Sequence, residues 1–126
     1  MKAKSEMQEM FGTVPVFFEV FPEHALPGVW EYFKQLNNPK GDIPPKYREL
    51  MQLAVASQIP CEYCVYFHTA AAEAYGATEN ELREAVAHGA FTRHWSTILQ
   101  GNDVDISAFE QEVDMIFEEM AKKPEN

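Results

Sequence analysis

Positive charge is scarce in this chain. Ten Lys and Arg stand against twenty Asp and Glu, a formal net charge of −10, so nothing here could neutralise a run of phosphates, which argues against nucleic-acid binding. Long apolar runs are absent as well: no stretch approaches the eighteen or so residues of a membrane span. The start, Met1-Lys2-Ala3-Lys4-Ser5-Glu6, leads into polar sequence rather than a leader. A cytoplasmic protein without a membrane partner is the expectation. Period-2 alternation is missing too, so no strands are expected, and recurrent 3.6-type spacing points to an all-α fold. Cysteine is limited to two residues, and in a reducing compartment a close pair is more often catalytic or metal-binding than structural.

What is present is enough for a core. Hydrophobic residues make up 46% of the chain, with nine Phe, five Tyr and two Trp, so one folded domain over residues 1–126 is expected. Six Met and this density of aromatics in so short a chain also suggest a subunit interface.

Both cysteines lie in one stretch, Cys61-Glu62-Tyr63-Cys64-Val65-Tyr66-Phe67-His68, and eleven residues separate Glu49 from its start. Pro60 and the run Thr69 to Ala74 predict that Cys61 opens a helix reaching Gly76. At 100° per residue, positions 61, 64 and 68 share an arc of roughly 60°. Positions i and i+3 lie about 5–6 Å apart, near the separation a disulfide needs. One face thus carries a closable dithiol and a base, which is redox chemistry.

The rest of the chain frames that stretch. A short helix over about residues 4–11 should end at Gly12, and Thr13-Val14-Pro15 should start another that stops at Pro22. Residues 23–37 read as helix, with Val29, Trp30, Phe33 and Leu36 at core spacing and Pro27-Gly28 as a kink or split. Asn37 to Asp42 is a turn cluster. Pro44-Pro45 opens the helix of Glu49, with Tyr47, Leu50, Met51, Leu53 and Ala54 apolar, and Ser57 to Pro60 closes it. Thr78-Glu79-Asn80-Glu81 is a capping box that opens a long helix to about Gln100. A last helix, about 107–122, turns Phe109, Val113, Ile116, Phe117 and Met120 inward.

The short turn at 57–60 predicts an antiparallel helix hairpin. Glu49 lies about 12 Å back from Ser57 and His68 about 10.5 Å on from Cys61, so Glu49 should sit beside His68 and not beside the thiols. The expected line is Glu49–His68–Cys64–Cys61, carboxylate orienting imidazole and imidazole serving the nearer thiol. Cys64, at i−4 from His68, is then expected to be the attacking thiol, with Cys61, nearer the turn, closing the disulfide and meeting a partner. Other readings stay open. Cys61, Cys64 and His68, with His24, His88 or His94, could hold zinc or an iron–sulfur centre, although C-x-x-C is half of the usual zinc pattern. The cysteines could be inert core residues, and Glu49 a solvated carboxylate. Tyr63 and Tyr66 read as packing residues.

The arrangement Glu49-x11-Cys61-x2-Cys64-x3-His68, followed by Ala72-Glu73-Ala74-Tyr75-Gly76-Ala77-Thr78-Glu79-Asn80-Glu81-Leu82-Arg83-Glu84-Ala85-Val86, resembles the AhpD-like alkylhydroperoxidases of the carboxymuconolactone decarboxylase superfamily. The resemblance spans about residues 43–100. It implies an all-α subunit assembled as a homo-oligomer, a trimer or hexamer. It also implies a dithiol without cofactor or metal, with Cys61 and Cys64 as redox pair and Glu49 and His68 as proton relay. The implied substrate is a hydroperoxide, and the implied partners are a lipoyl- or thioredoxin-type thiol donor or a peroxiredoxin. Two features depart from that pattern. AhpD carries a further His inside its C-x-x-C, where this chain has Glu62 and Tyr63, and it holds two copies of the helical unit, where this chain holds one. A non-peroxidatic redox partner or sensor is the alternative, with a lactone decarboxylase on the same scaffold as a third reading; that branch usually lacks the cysteine pair.

Overall fold

Turn chemistry sets the helix boundaries in the computed structural model, which describes residues 2–124. Among those residues there are seven helices and no strands: α1 Lys2–Phe11, α2 Val16–Glu19, α3 Leu26–Leu36, α4 Pro45–Gln58, α5 Glu62–Ala74, α6 Glu79–Gly101 and α7 Ile106–Ala121. Gly12 (φ 77°) and Gly76 (φ 91°) adopt the left-handed conformation that ends α1 and α5. Pro27 neither kinks nor splits α3. It lies in the first turn, where the missing N–H costs nothing. Pro45 plays the same part in α4. The expected capping box closes both ways, Glu81 N–H donating to Thr78 Oγ1 at 3.0 Å and Thr78 N–H to Glu81 Oε1 at 2.9 Å.

The helices pack in two groups. In the first, α1 and α2 lie on α3 around Ala3, Met7, Phe18, Leu26 and Trp30. Trp30 Nε1 and Lys34 Nζ both donate to Glu6 Oε2, at 2.6 and 2.8 Å. Those two donors, Lys34 foremost, hold the Glu6 carboxyl below its ordinary value. In the second group α4 lies against both α5 and α6, burying Leu53, Ala56 and Ala72. Gly89 makes the α4–α6 approach possible, since a Cβ there would stand 3.2 Å from the Ala54 carbonyl oxygen. Lys46 Nζ pairs with Glu81 Oε2 at 3.0 Å across the same contact. Arg48 fastens the preceding turn, donating to the carbonyls of Ile43 at 2.6 Å and Asn38 at 2.7 Å.

Three expectations about packing are corrected. The inner face expected for the last helix is not covered by its own chain: α7 buries no residue, and Phe117 is 64% exposed. Trp95, Leu99 and Val104 face Phe109 and Ile116 across an open apolar groove of about 630 Å³ between α6 and α7. Tyr63 and Tyr66, expected to pack, are each 80% exposed. Tyr47, Met51 and Leu36, placed at core spacing, are exposed as well. The faces read for α3 and α4 are covered only in part, at Trp30 and Leu53, and that of α7 is left open.

Candidate functional site

The site forms where α4 turns back into α5. Ile59, Pro60 and Cys61 make the turn, closed by Cys61 N–H donating to the Ala56 carbonyl at 2.9 Å; the Ile59–Pro60 peptide is cis. Cys61 is not the first helical residue, as expected, but the N-cap, with extended backbone (φ −131°, ψ 109°). Its sulfur takes the place that a Ser or Asp oxygen takes in other caps. The Cys64 N–H donates to Cys61 Sγ at 3.3 Å, so an unpaired amide of the helix start is satisfied by a thiol.

That geometry separates the two thiols. The backbone N–H of Cys64, the Cys64 thiol and the Tyr63 N–H all stabilise negative charge on Cys61 Sγ, pulling its pKa below the ordinary thiol value of 9.0, with Glu62 opposing. Cys64 moves the other way, raised because its proton is held in the bond to Cys61 and because it is more enclosed. Cys61 is therefore the more acidic of the two thiols, whereas proximity to His68 favoured Cys64 as the attacking one. The physical reason is the cap, where three donors converge on one sulfur.

Glu49 and His68 meet as the residue count across the turn required. Glu49 Oε2 lies 2.6 Å from His68 Nδ1. Glu49 is 6% exposed, the one buried charged residue among those described, which removes the reading of a solvated carboxylate. A carboxylate in its ionised form only accepts hydrogen bonds, so with Glu49 in that form Nδ1 is the donor of this pair and Nε2 is left to exchange a proton. By register Cys64 stands at i−4 from His68, on the same helix face. Aromatic rings complete the surroundings. Phe67 sets its edge to the His68 ring (centroids 5.3 Å, planes at 90°), and Phe17 of α2 meets Phe67 at 5.7 Å. No sequence signal marked Phe17, fifty residues from Phe67; Phe67 adjoins His68 in sequence but was not singled out.

His24, His88 and His94 do not join the site as further ligands: among the described residues no three His, Cys, Asp or Glu side chains converge as a metal site. His94 stacks on Phe91 and meets the edge of Trp95, on α6.

A family model described as "Carboxymuconolactone decarboxylase family" matches residues 24–104, which include the whole of the thiol turn and both helices that build it. The chain belongs to that family. It is 40% identical over 47 residues to an uncharacterized protein of Cupriavidus necator. That match takes in 37% of this chain and 42% of the relative, so it spans less than half of the relative's length. In overall fold the chain is similar to the alkylhydroperoxidase AhpD core from Rhodospirillum rubrum, with a TM-score of 0.73 and 25% identity, over 86% of this chain and 83% of that one. The all-α, AhpD-like architecture expected from the motif is therefore the architecture of this family member.

Proposed function

We propose that this chain is a thiol-dependent hydroperoxidase or disulfide oxidoreductase that works through the Cys61–Cys64 dithiol, with His68 and Glu49 as its proton relay. The observation that carries the reading is the cap: a thiol stabilised as thiolate, a second thiol one turn on, and a carboxylate-held imidazole beyond it. The likeness to an alkylhydroperoxidase core lends support.

In this mechanism Cys61 thiolate attacks the hydroxyl oxygen of ROOH. An S–O bond forms, the O–O bond breaks, and the departing alkoxide takes a proton from solvent to leave as ROH. His68 Nε2 then takes the Cys64 proton, while Glu49 supports the cation so formed. Cys64 attacks the Cys61 sulfur; the S–S bond forms, the S–O bond breaks, and the hydroxide leaves as water with the imidazolium proton. A donor dithiol of lipoyl or thioredoxin type returns two electrons by exchange at the disulfide, and the reduced pair can in turn pass them to the disulfide of a peroxiredoxin partner. No metal or cofactor takes part. The reaction suits a reducing compartment such as the cytoplasm. The working form is a homo-oligomer, a hexamer or trimer.

The test follows peroxide consumption with a dithiol reductant in the wild type and in Cys61→Ser and Cys64→Ser. Turnover should be lost in both. Cys64→Ser should accumulate sulfenic acid on Cys61, captured by a trapping reagent, whereas Cys61→Ser should label weakly. Sulfenic acid accumulating on Cys64 instead would return the attack to that residue. Oxidation of the dithiol without recycling would favour a redox sensor, and an activity on a lactone that survived loss of both thiols would replace the proposal with decarboxylation.

A further inference from the structure

The imidazole of His68 is held at one end only by Glu49; its flank is held by carbon. From the core of the N-terminal helices a row of rings runs to the site: Trp30 and Phe18 (centroids 5.5 Å), Phe18 and Phe17 (5.0 Å), Phe17 and Phe67 (5.7 Å), Phe67 and His68 (5.3 Å). Trp30 and Phe18 are buried, so the row is anchored in packed structure. Phe17–Phe67 is the ring contact by which the α1–α3 group reaches the α4–α6 group beside the site. Phe17 also precedes the family-matched span, which begins at residue 24.

We propose that Phe17 and Phe67 are positioning residues for His68, so that the N-terminal helices belong to the working site. Edge-to-face pairs at 5–6 Å fix ring orientation as well as distance. With Glu49 fixing Nδ1 and Phe67 fixing the ring plane, the imidazole has one direction left for Nε2. Removing Phe17 frees Phe67 to rotate away and widens the range of imidazole orientations. Phe17 itself is 46% exposed, so its loss leaves the buried Trp30–Phe18 packing in place.

This inference rests on the proposed use of His68 as the base for Cys64, and a reagent disulfide tests it without any peroxide. With 5,5′-dithiobis(2-nitrobenzoate), attack by Cys61 releases one coloured thiolate. Closure by Cys64, whose proton goes to His68, releases the second. Phe17→Ala should slow the closing phase about 3- to 10-fold, the range one aromatic pair supplies, and leave the first phase at the wild-type rate. Phe17→Tyr, which keeps the ring, should close at the wild-type rate. In a His68→Asn background Phe17→Ala should add nothing further, since both act through one group. If Phe17→Ala loses helical signal by circular dichroism, Phe17→Leu carries the same comparison. Equal slowing of both phases, no slowing, or undiminished slowing without His68 each overturns the proposal.

Discussion

A buried carboxylate is costly unless it is partnered, and Glu49 has a partner chosen for use as well as for neutralisation. Glu49→Gln keeps the shape and a hydrogen bond to Nδ1 but removes the charge that supports a protonated imidazole. It should slow disulfide closure between Cys61 and Cys64 by about 10- to 100-fold, the lower part of the range for acid–base assistance, because Glu49 acts through His68. The helical signal should be unchanged. A wild-type closing rate from pH 5 to 9 would assign Glu49 to structure alone. The thiols make a second prediction, with a definite sign. Alkylation follows the thiolate fraction, so the lowered pKa of Cys61 moves its rate–pH curve to lower pH than a free thiol, and Cys64 responds only at higher pH. Cys64→Ala removes the thiol donor and leaves the two backbone ones. The Cys61 curve should therefore shift part of the way back upward, as followed by iodoacetamide labelling. Unchanged Cys61 labelling would mean that the backbone N–H groups alone set its acidity. The Glu49–His68 pairing was legible in the sequence because it follows from two helices and a short turn. The bond from the Cys64 N–H to Cys61 Sγ was not, because one residue of displacement turned a first helical residue into a cap.

Helices α4, α5 and α6 form the rigid frame of the site, and their boundaries were legible for ordinary reasons: prolines at starts, glycines at stops, and the Thr78–Glu81 box. What periodicity could not show is how closely two helices approach. Gly89 sits inside α6, where glycine costs about 0.5–1 kcal/mol against Ala, and the space it leaves is taken up by Ala54. A branched side chain at that position must push α6 from α4 and with it strain the Lys46–Glu81 pair. Gly89→Val should destabilise the chain by about 1–3 kcal/mol, as overpacking does, visible as a lower midpoint in urea. An unchanged or raised midpoint would mean that the helices part without loss. Nothing in the residue pattern told α7 from a core helix, because its apolar stripe is genuine although the chain itself leaves it exposed.

At the scale of the molecule the exposed area is the informative quantity. A folded monomer of 14.4 kDa is expected to expose roughly 6,800 Å², whereas this chain exposes 10041 Å². The difference, roughly 3,200 Å², compares with about 800 Å² per partner in one interface of standard size. Covering it all would take several standard-size contacts per protomer, as a closed ring or a stack of rings provides. The apolar groove between α6 and α7 and the exposed Val16, Phe17 and Val20 of the N-terminal segment are the surfaces available. Acidic residues on α7 and a net charge of −10 oppose association, so charge and apolar burial pull in opposite directions. Ionic strength separates them, because salt screens repulsion between protomers and leaves apolar contacts intact. Light scattering at micromolar concentration should return a multiple of 14.4 kDa, most simply six. Raising salt from about 20 to 300 mM should extend that assembly to lower protein concentration. Ile116→Asp with Phe117→Asp should shift it toward smaller species and leave helix content unchanged. A single subunit mass at every salt concentration would show that the uncovered faces stay wet, and the homo-oligomer would have to be given up.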